Sequence, residues 1–250
     1  PLWAESTDRG FYRTADGGAT WTKVLEGANA TTGATDIKMD PSNPNKLFAA
    51  MWQFDRKPYE FTSGGPGSGL YVSHDAGETW DRLTPEDGIP EGDLGKAVFA
   101  IAPRDPDRVY ALVEAEKSAL LRSDNGGRDW QTVNADTNVA VRPFYYTELA
   151  VDPENPDRVY NVESRVQVSI DGGRHFSYIE QIDCCAPGSD IHIDTHTMWI
   201  NPADPRHMIV GNDGGLAVSR DQGATWRFVE NLPLAQFYHV AVDDAQPYNI

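Results

Sequence analysis

Hydrophobic and polar residues alternate along this chain in short runs, and no stretch carries the 3.6-residue period of an amphipathic helix. One unit can be read in full. Residues 147–153 read TELAVDP and enter a proline turn; RVYNVES and RVQVSID follow in turn; a Gly-Gly turn then leads into HFSYIE at 175–180. Runs of this length, rich in Val, Tyr and Ile and bounded by Pro, Gly, Asn and Asp, predict four short antiparallel strands, here lettered A to D.

The same order of elements recurs. The turn before the fourth strand reads TADGGATW, SHDAGETW, SDNGGRDW, SIDGGRHF and SRDQGATW, and its central Asp16, Asp75, Asn125, Asp171 and Asp221 are 59, 50, 46 and 50 residues apart. The turn between the first two strands reads PSNP, PRDP, PENP and PADP, starting at Pro41, Pro103, Pro153 and Pro202. A period near fifty with four strands per unit predicts an all-β chain, a β-propeller of four-stranded antiparallel blades. The expected layout is a half blade at 10–26, blades at about 34–84, 96–134, 144–181 and 196–230, and the start of a further blade at 236–250. That layout is expected to be a section of a larger propeller, completed by blades of a longer chain or by another subunit. The other reading is that the two ends pair and close a small ring.

Each part of the octapeptide has a mechanical use. The Asp at its third position can accept backbone N–H bonds and brace the turn. The Gly at its fifth can take angles that penalise a side chain, and the aromatic at its eighth can bury its ring between elements. Asp16, Trp21, Asp75, Trp80, Asn125, Trp130, Asp171, Phe176, Asp221 and Trp226 are therefore expected to be structural.

These octapeptides resemble the Asp-box, or BNR repeat, of sialidases, sortilin-type receptors and xyloglucan-cleaving endoglucanases. SHDAGETW and SRDQGATW fit S-x-D-x-G-x-T-W throughout, and TADGGATW differs at Thr14. SDNGGRDW departs at Asn125 and Asp129, and SIDGGRHF at His175 and Phe176, departures expected to weaken their turns. MDPSNPNKLFAAMWQ, SGGPGSGLY, RVYALVEAE and GNDGGLAVS further resemble large bacterial sortilin-like propellers that often carry the name glycosyl hydrolase. The resemblance implies that the boxes are structural and turned away from any active site, and that the chain works outside the cytoplasm, extracellular or periplasmic.

Charge narrows the partners. The chain carries 38 acidic and 21 basic residues, a net charge of −17, which repels phosphate backbones and argues against nucleic acid. No apolar run approaches the roughly 20 residues of a membrane span, and the opening PLWAESTDRG has no apolar core of a signal peptide. The adjacent Cys184 and Cys185 are compatible with a vicinal disulfide or with two free thiols.

Connectivity separates two faces. The proline turns and octapeptides share one; the longer connections, B to C and D to A, share the other, where loops on a rigid frame commonly carry function. The B–C loop at 53–69 brings Arg56, Lys57, Tyr59 and Phe61, with Trp52 just before it, groups suited to sugar stacking or to clasping a peptide. Its GGPGSG lacks the Gly-Lys-Ser/Thr of a phosphate loop. Arg142, Tyr145, Tyr146, Arg165, His192 and His196 complete the expected ligand contacts. Along an extended strand His192, Asp194 and His196 would point the same way with their ends about 13 Å apart, so an adjacent pair plus a ligand from another blade could hold a divalent cation. The alternative is a set of hydrogen-bonded rim residues. No cofactor is otherwise expected. Asp194, His196 and Trp199 also match an Asp-x-His-x-x-Trp segment of the bacterial group, with no role attached.

Two functions follow as expectations. One is a secreted or periplasmic module that recognises a peptide or glycan, or assembles with a partner. The other is a hydrolase of a β-glucan such as xyloglucan, which needs two carboxyls roughly 5 Å or 6.5–9.5 Å apart, drawn from Asp36, Glu148, Glu163, Asp194 and Asp213. Sialidase activity is disfavoured, since the Arg-Ile-Pro segment of that family is missing.

Overall fold

The structure is a computed structural model and describes residues 4–182, 189, 191–233, 241 and 243–246. Asp183, Cys184, Cys185, Asp190 and most of 236–250 lie outside the described residues, and with them the state of the cysteines and the expected further blade.

Nineteen strands are described. β1 (Gly10–Arg13) and β2 (Thr22–Glu26) form a two-stranded sheet. The second sheet contains β3 (Thr32–Asp40), β4 (Asn43–Lys57), β5 (Glu60–Ser63), β6 (Gly69–Ser73) and β7 (Asp81–Arg82), in the order β3-β4-β6-β7 with β5 paired to β4. The third holds β8 (Ala97–Ala102), β9 (Asp105–Val113), β10 (Ala119–Ser123) and β11 (Gln131–Asn134). The fourth holds β12 (Glu148–Val151), β13 (Val159–Val162), β14 (Val166–Ser169) and β15 (Ser177–Tyr178), and the fifth β16 (Thr195–Ile200), β17 (Met208–Asn212), β18 (Gly215–Ser219) and β19 (Arg227–Phe228). Neighbouring strands are antiparallel in every sheet and, apart from β5, which stands aside from the β4–β6 pair, follow in chain order; the four larger sheets are the β-propeller blades the alternation predicts. No helix among the described residues is long and apolar enough to cross a membrane.

The core lies between successive blades. Phe48, Leu70 and Val72 of the second blade pack on Phe99, Leu121 and Trp130 of the third. Tyr110, Leu112 and Leu120 meet Leu149, Val151 and Val159. Tyr160, Val162 and Val166 meet Met198, Met208 and Val210. The first strands β3, β8, β12 and β16 touch one another in that order, so each blade turns its A strand to one common axis.

The octapeptides explain themselves atom by atom. In SHDAGETW, Asp75 accepts from the Thr79 N–H (2.8 Å) and hydroxyl (2.6 Å), while the Ser73 hydroxyl donates to Asp75 (2.9 Å) and accepts from the Gly77 N–H (2.8 Å). TADGGATW and SRDQGATW repeat this. The indole N–H of Trp21, Trp130 and Trp226 donates to the carbonyl of the box glycine. Trp80 instead stacks its ring at 6.4 Å from Phe11, and its N–H finds no acceptor. A further constraint is absent from the motif: the fourth position is left-handed in every box, with Ala76 at φ 60 and Gln222 at φ 62 where the others have glycine.

The two divergent boxes keep the same geometry, against the expectation that they are weakened. In SDNGGRDW the donor and acceptor are exchanged: Asn125 Nδ2 donates to the Asp129 carboxylate (2.7 Å), and Asn125 Oδ1 accepts the Asp129 N–H (3.0 Å). In SIDGGRHF the His175 ring replaces the threonine hydroxyl, with Nδ1 2.6 Å from Asp171.

Threonine hydroxyl and N–H bonds hold Asp16 and Asp75 near a pKa of about 2, below the ordinary 3.8. Asp171 reaches about 2 as well; partial burial pushes it up, but the His175 ring and N–H outweigh that. These carboxyls are more acidic folded than unfolded, so their contribution is complete above the ordinary aspartate value and is lost as pH falls toward 2. Urea unfolding from pH 7 down to about 2.5 should therefore show stability falling below about pH 4, with a shallower fall in Asp75→Asn. An equal slope in both proteins would contradict it.

Candidate functional site

The segment at 53–69 is not an irregular loop. β4 runs on to Lys57 and returns through β5, with Phe54 opposite Ser63, Arg56 opposite Phe61 and Lys57 opposite Glu60, a hairpin arm that projects past the blade. Glycine lets its base sit against the next blade. The Gly65 N–H donates to Leu94 O (3.0 Å), and at Gly64, with φ +96, a side chain would press on the same carbonyl. The arm's outer end faces the turn at 142–146 across a cleft of about 400 Å³ lined by Arg56, Lys57, Tyr59, Phe61, Phe144 and Tyr145. Tyr59 stands at the tip, 83% exposed.

A continuous band of rings crosses this face. Phe54 stacks on Trp52 (4.4 Å), Trp52 meets Phe61 (6.3 Å), and Phe61 meets Phe144 (5.1 Å). Phe144 continues to Tyr145 (5.8 Å), Tyr145 to Tyr146 (5.5 Å), and Tyr146 to His196 (5.1 Å). The band thus joins the second blade's arm to the first strand of the fifth blade. Cations lie on it: Arg9 over Phe54, Lys96 over Trp52, Arg56 over Phe61, and Arg142 over Phe144, Tyr145 and Tyr146. Each such contact stabilises by roughly 0.5–1 kcal/mol where exposed.

Every candidate carboxylate is engaged with protein. Asp36 accepts the Phe99 N–H (2.7 Å) and pairs with Lys38 (3.0 Å). Glu148 accepts the Met198 N–H and the Thr197 hydroxyl, both at 3.3 Å. Asp36 and Glu148 each stand five residues before a proline turn and reach the first strand of the next blade, so they link inner strands. Glu163, 3% exposed, accepts from Gln167 (2.5 Å) and the Val141 N–H (3.4 Å). Burial pushes both glutamic acids up. Arg165 lies away from the band, over Tyr178.

His192, Asp194 and His196 do not share one extended strand. Asp194 is left-handed at φ 62, and β16 begins one residue later. The side chains consequently take different main partners, although His192 Nδ1 stays 4.0 Å from the Asp194 carboxylate. Asp194 accepts from the Tyr146 hydroxyl (2.7 Å), His196 Nε2 pairs with Asp213 (2.9 Å), and His192 Nδ1 lies 2.6 Å from Ile193 O. Burial, then the Asp194 carboxylate, raises Tyr146 to about 12. Among the described residues no three His, Cys, Asp or Glu side chains are placed to hold a metal. The Asp194 N–H donates to Ser164 O and its carbonyl accepts the Asp213 N–H, so both neighbouring connections hold the strained residue in place.

Three residues here escaped the sequence reading. Phe144 closes the gap in the band. Glu114 accepts from Ser63 (2.6 Å) and the Lys96 N–H (2.8 Å), tying the arm to the third blade. Lys96 is largely buried, which lowers its pKa, with Glu114, Asp36 and Glu148 acting against the shift. Phe144 adjoins Tyr145 and could have been picked by that adjacency; nothing local marks the other two.

Comparison with known proteins agrees with this architecture. Residues 71–82 match the BNR/Asp-box repeat family. An ancestral GH74 enzyme superposes with a TM-score of 0.59 at 17% identity over 84% of this chain and 28% of its own. A GH74 xyloglucanase from Xanthomonas campestris gives 0.48 at 15% identity, over 93% of this chain and 41% of its own. YCF48 from Cyanidioschyzon merolae gives 0.48 at 13% identity, over 85% of this chain and 59% of its own. The chain therefore spans less than two thirds of each of these, and at such identities the first superposition speaks for the propeller fold alone. No curated protein matches the sequence.

Proposed function

We propose that this Asp-box propeller is a recognition module that binds an extended peptide or glycan, in an extracellular or periplasmic protein of sortilin-like type. The observation that carries the reading is the unbroken band of rings, topped by cations, at the mouth of the 400 Å³ cleft. Aromatic faces and edges supply contact area at low entropic cost, and the arm and turn that hold them are braced at both ends. The engaged carboxylates support binding over catalysis: each already satisfies a donor of the fold.

The test is a binding panel of extended peptides and β-glucan oligosaccharides read by calorimetry. Tyr59→Ala and Tyr145→Ala remove exposed rings and should leave the unfolding curve unchanged, while weakening the best binder at least about tenfold. Unaltered affinity in both would remove the cleft from the proposal. One observation favours hydrolysis as a second reading: burial raises Glu148, and the charge of Asp36 adds to the rise. Release of reducing ends from xyloglucan, lost in both Glu148→Gln and Asp36→Asn, would put hydrolysis first.

A further inference from the structure

We infer that the cleft takes an acidic peptide segment, held through side-chain carboxylates at Arg142; this rests on the recognition reading above. Arg142 is exposed, and its guanidinium lies 5.7, 5.0 and 5.7 Å from the ring centres of Phe144, Tyr145 and Tyr146. Among the described residues no carboxylate comes within ion-pair distance of it. A guanidinium over aromatic rings still has N–H groups to offer, and its planar fork matches a carboxylate in two parallel hydrogen bonds.

The turn that carries Arg142 is itself held. The Tyr145 and Tyr146 N–H groups both donate to Arg142 O (2.8 and 2.9 Å), the Thr147 hydroxyl donates to Pro143 O, and the Tyr146 hydroxyl is anchored on Asp194. Little ordering of this backbone is left to be done on binding. Across the cleft stand Arg56 and Lys57, the latter paired with Asp55 at 2.9 Å, and Glu60 is the one acid in the lining. On a chain of net charge −17, Arg56, Lys57 and Arg142 thus gather around this cleft. A basic cluster of that kind suits an acidic partner, which a chain of such net charge otherwise repels.

The rings favour a peptide over an acidic glycan. Consecutive sugars stack on open, roughly coplanar faces, whereas Phe61, Phe144, Tyr145 and Tyr146 are inclined to one another by 49°, 87° and 56°, with Arg142 over three of them. Side chains that leave a peptide at differing angles fit between such rings.

The test is fluorescence anisotropy with a labelled, C-terminally amidated decapeptide of Glu and Ser around one Tyr, against the same peptide with Gln for Glu, trigalacturonic acid and a xyloglucan oligosaccharide. The acidic peptide should bind at least about tenfold more tightly than its Gln counterpart. Arg142→Ala should erase that difference and Arg142→Lys keep part of it, with thermal unfolding of both variants as the control for folding. Equal binding of the Glu and Gln peptides, a difference that survives Arg142→Ala, or binding of trigalacturonic acid with none of the peptide overturns the inference. Should the Gln peptide or the xyloglucan oligosaccharide bind in a manner that needs Tyr145 and ignores Arg142, recognition stands and the acidic preference falls. Should no probe bind, both fall.

Discussion

Replacing Trp130 by alanine lowers the unfolding free energy by about 3–5 kcal/mol, whereas the same change at Trp21 costs less than about 1 kcal/mol. Both tryptophans end an octapeptide, and both donate the indole N–H to the box glycine. What separates them is the surface that receives the ring. Trp130 is 6% exposed, set edge-on to Phe48 at 6.2 Å and 6.0 Å from Phe99, so its removal opens a cavity between the second and third blades. Trp21 is 60% exposed. Chemical denaturation of the two variants measures the contrast. Equal losses would show that the turn, and not the ring between blades, supplies the stability.

Gly127→Ala should cost about 2–4 kcal/mol, the sum of a left-handed side chain and an overfilled core. Gly127 has φ +85, and an added Cβ would fall inside van der Waals contact of the Phe48 ring, which is wholly buried and without room to retreat. Gly17 makes the control. It has φ +72 and nothing near its missing Cβ, so Gly17→Ala carries the backbone penalty alone, about 1 kcal/mol. A melting series on both variants separates conformation from packing. If they lose the same amount, the close approach of box to preceding blade contributes nothing.

What could be read from the sequence was what is local. The box, the proline turn and the alternation between them each fit within a few residues, so the order of strands and the propeller class followed from them. Asp75 and Asp221 brace their turns through bonds that span four residues. The hairpin arm was read as a loop because the charges of Asp55, Arg56 and Lys57 mask its alternation, and its partner strand carries Glu60. Glu114 and Lys96 were missed for a different reason. Their importance lies in Ser63 and Trp52, which reach them from another blade. The strain at Asp194 is equally invisible: an acidic residue between Ile and Thr reads as strand, and the backbone bonds to Ser164 and Asp213 that accompany its left-handed conformation come from distant segments.

The exchanged pair in the third box bears on how such repeats drift. Starting from Asp at 125 and Thr at 129, two single steps lead to the Asn125 and Asp129 observed. One intermediate, Asn beside Thr, keeps every donor facing an acceptor, since a hydroxyl can do either. The other sets two carboxylates face to face, where each needs a proton or a cation to stay. The passable order is amide first and acid second, and the return runs the same way backwards: Asn125 cannot become Asp while Asp129 stands opposite it. A repeat that looks degraded by its letters has in this respect only changed which partner donates, and the order of its steps is fixed by the pair of carboxylates it must avoid.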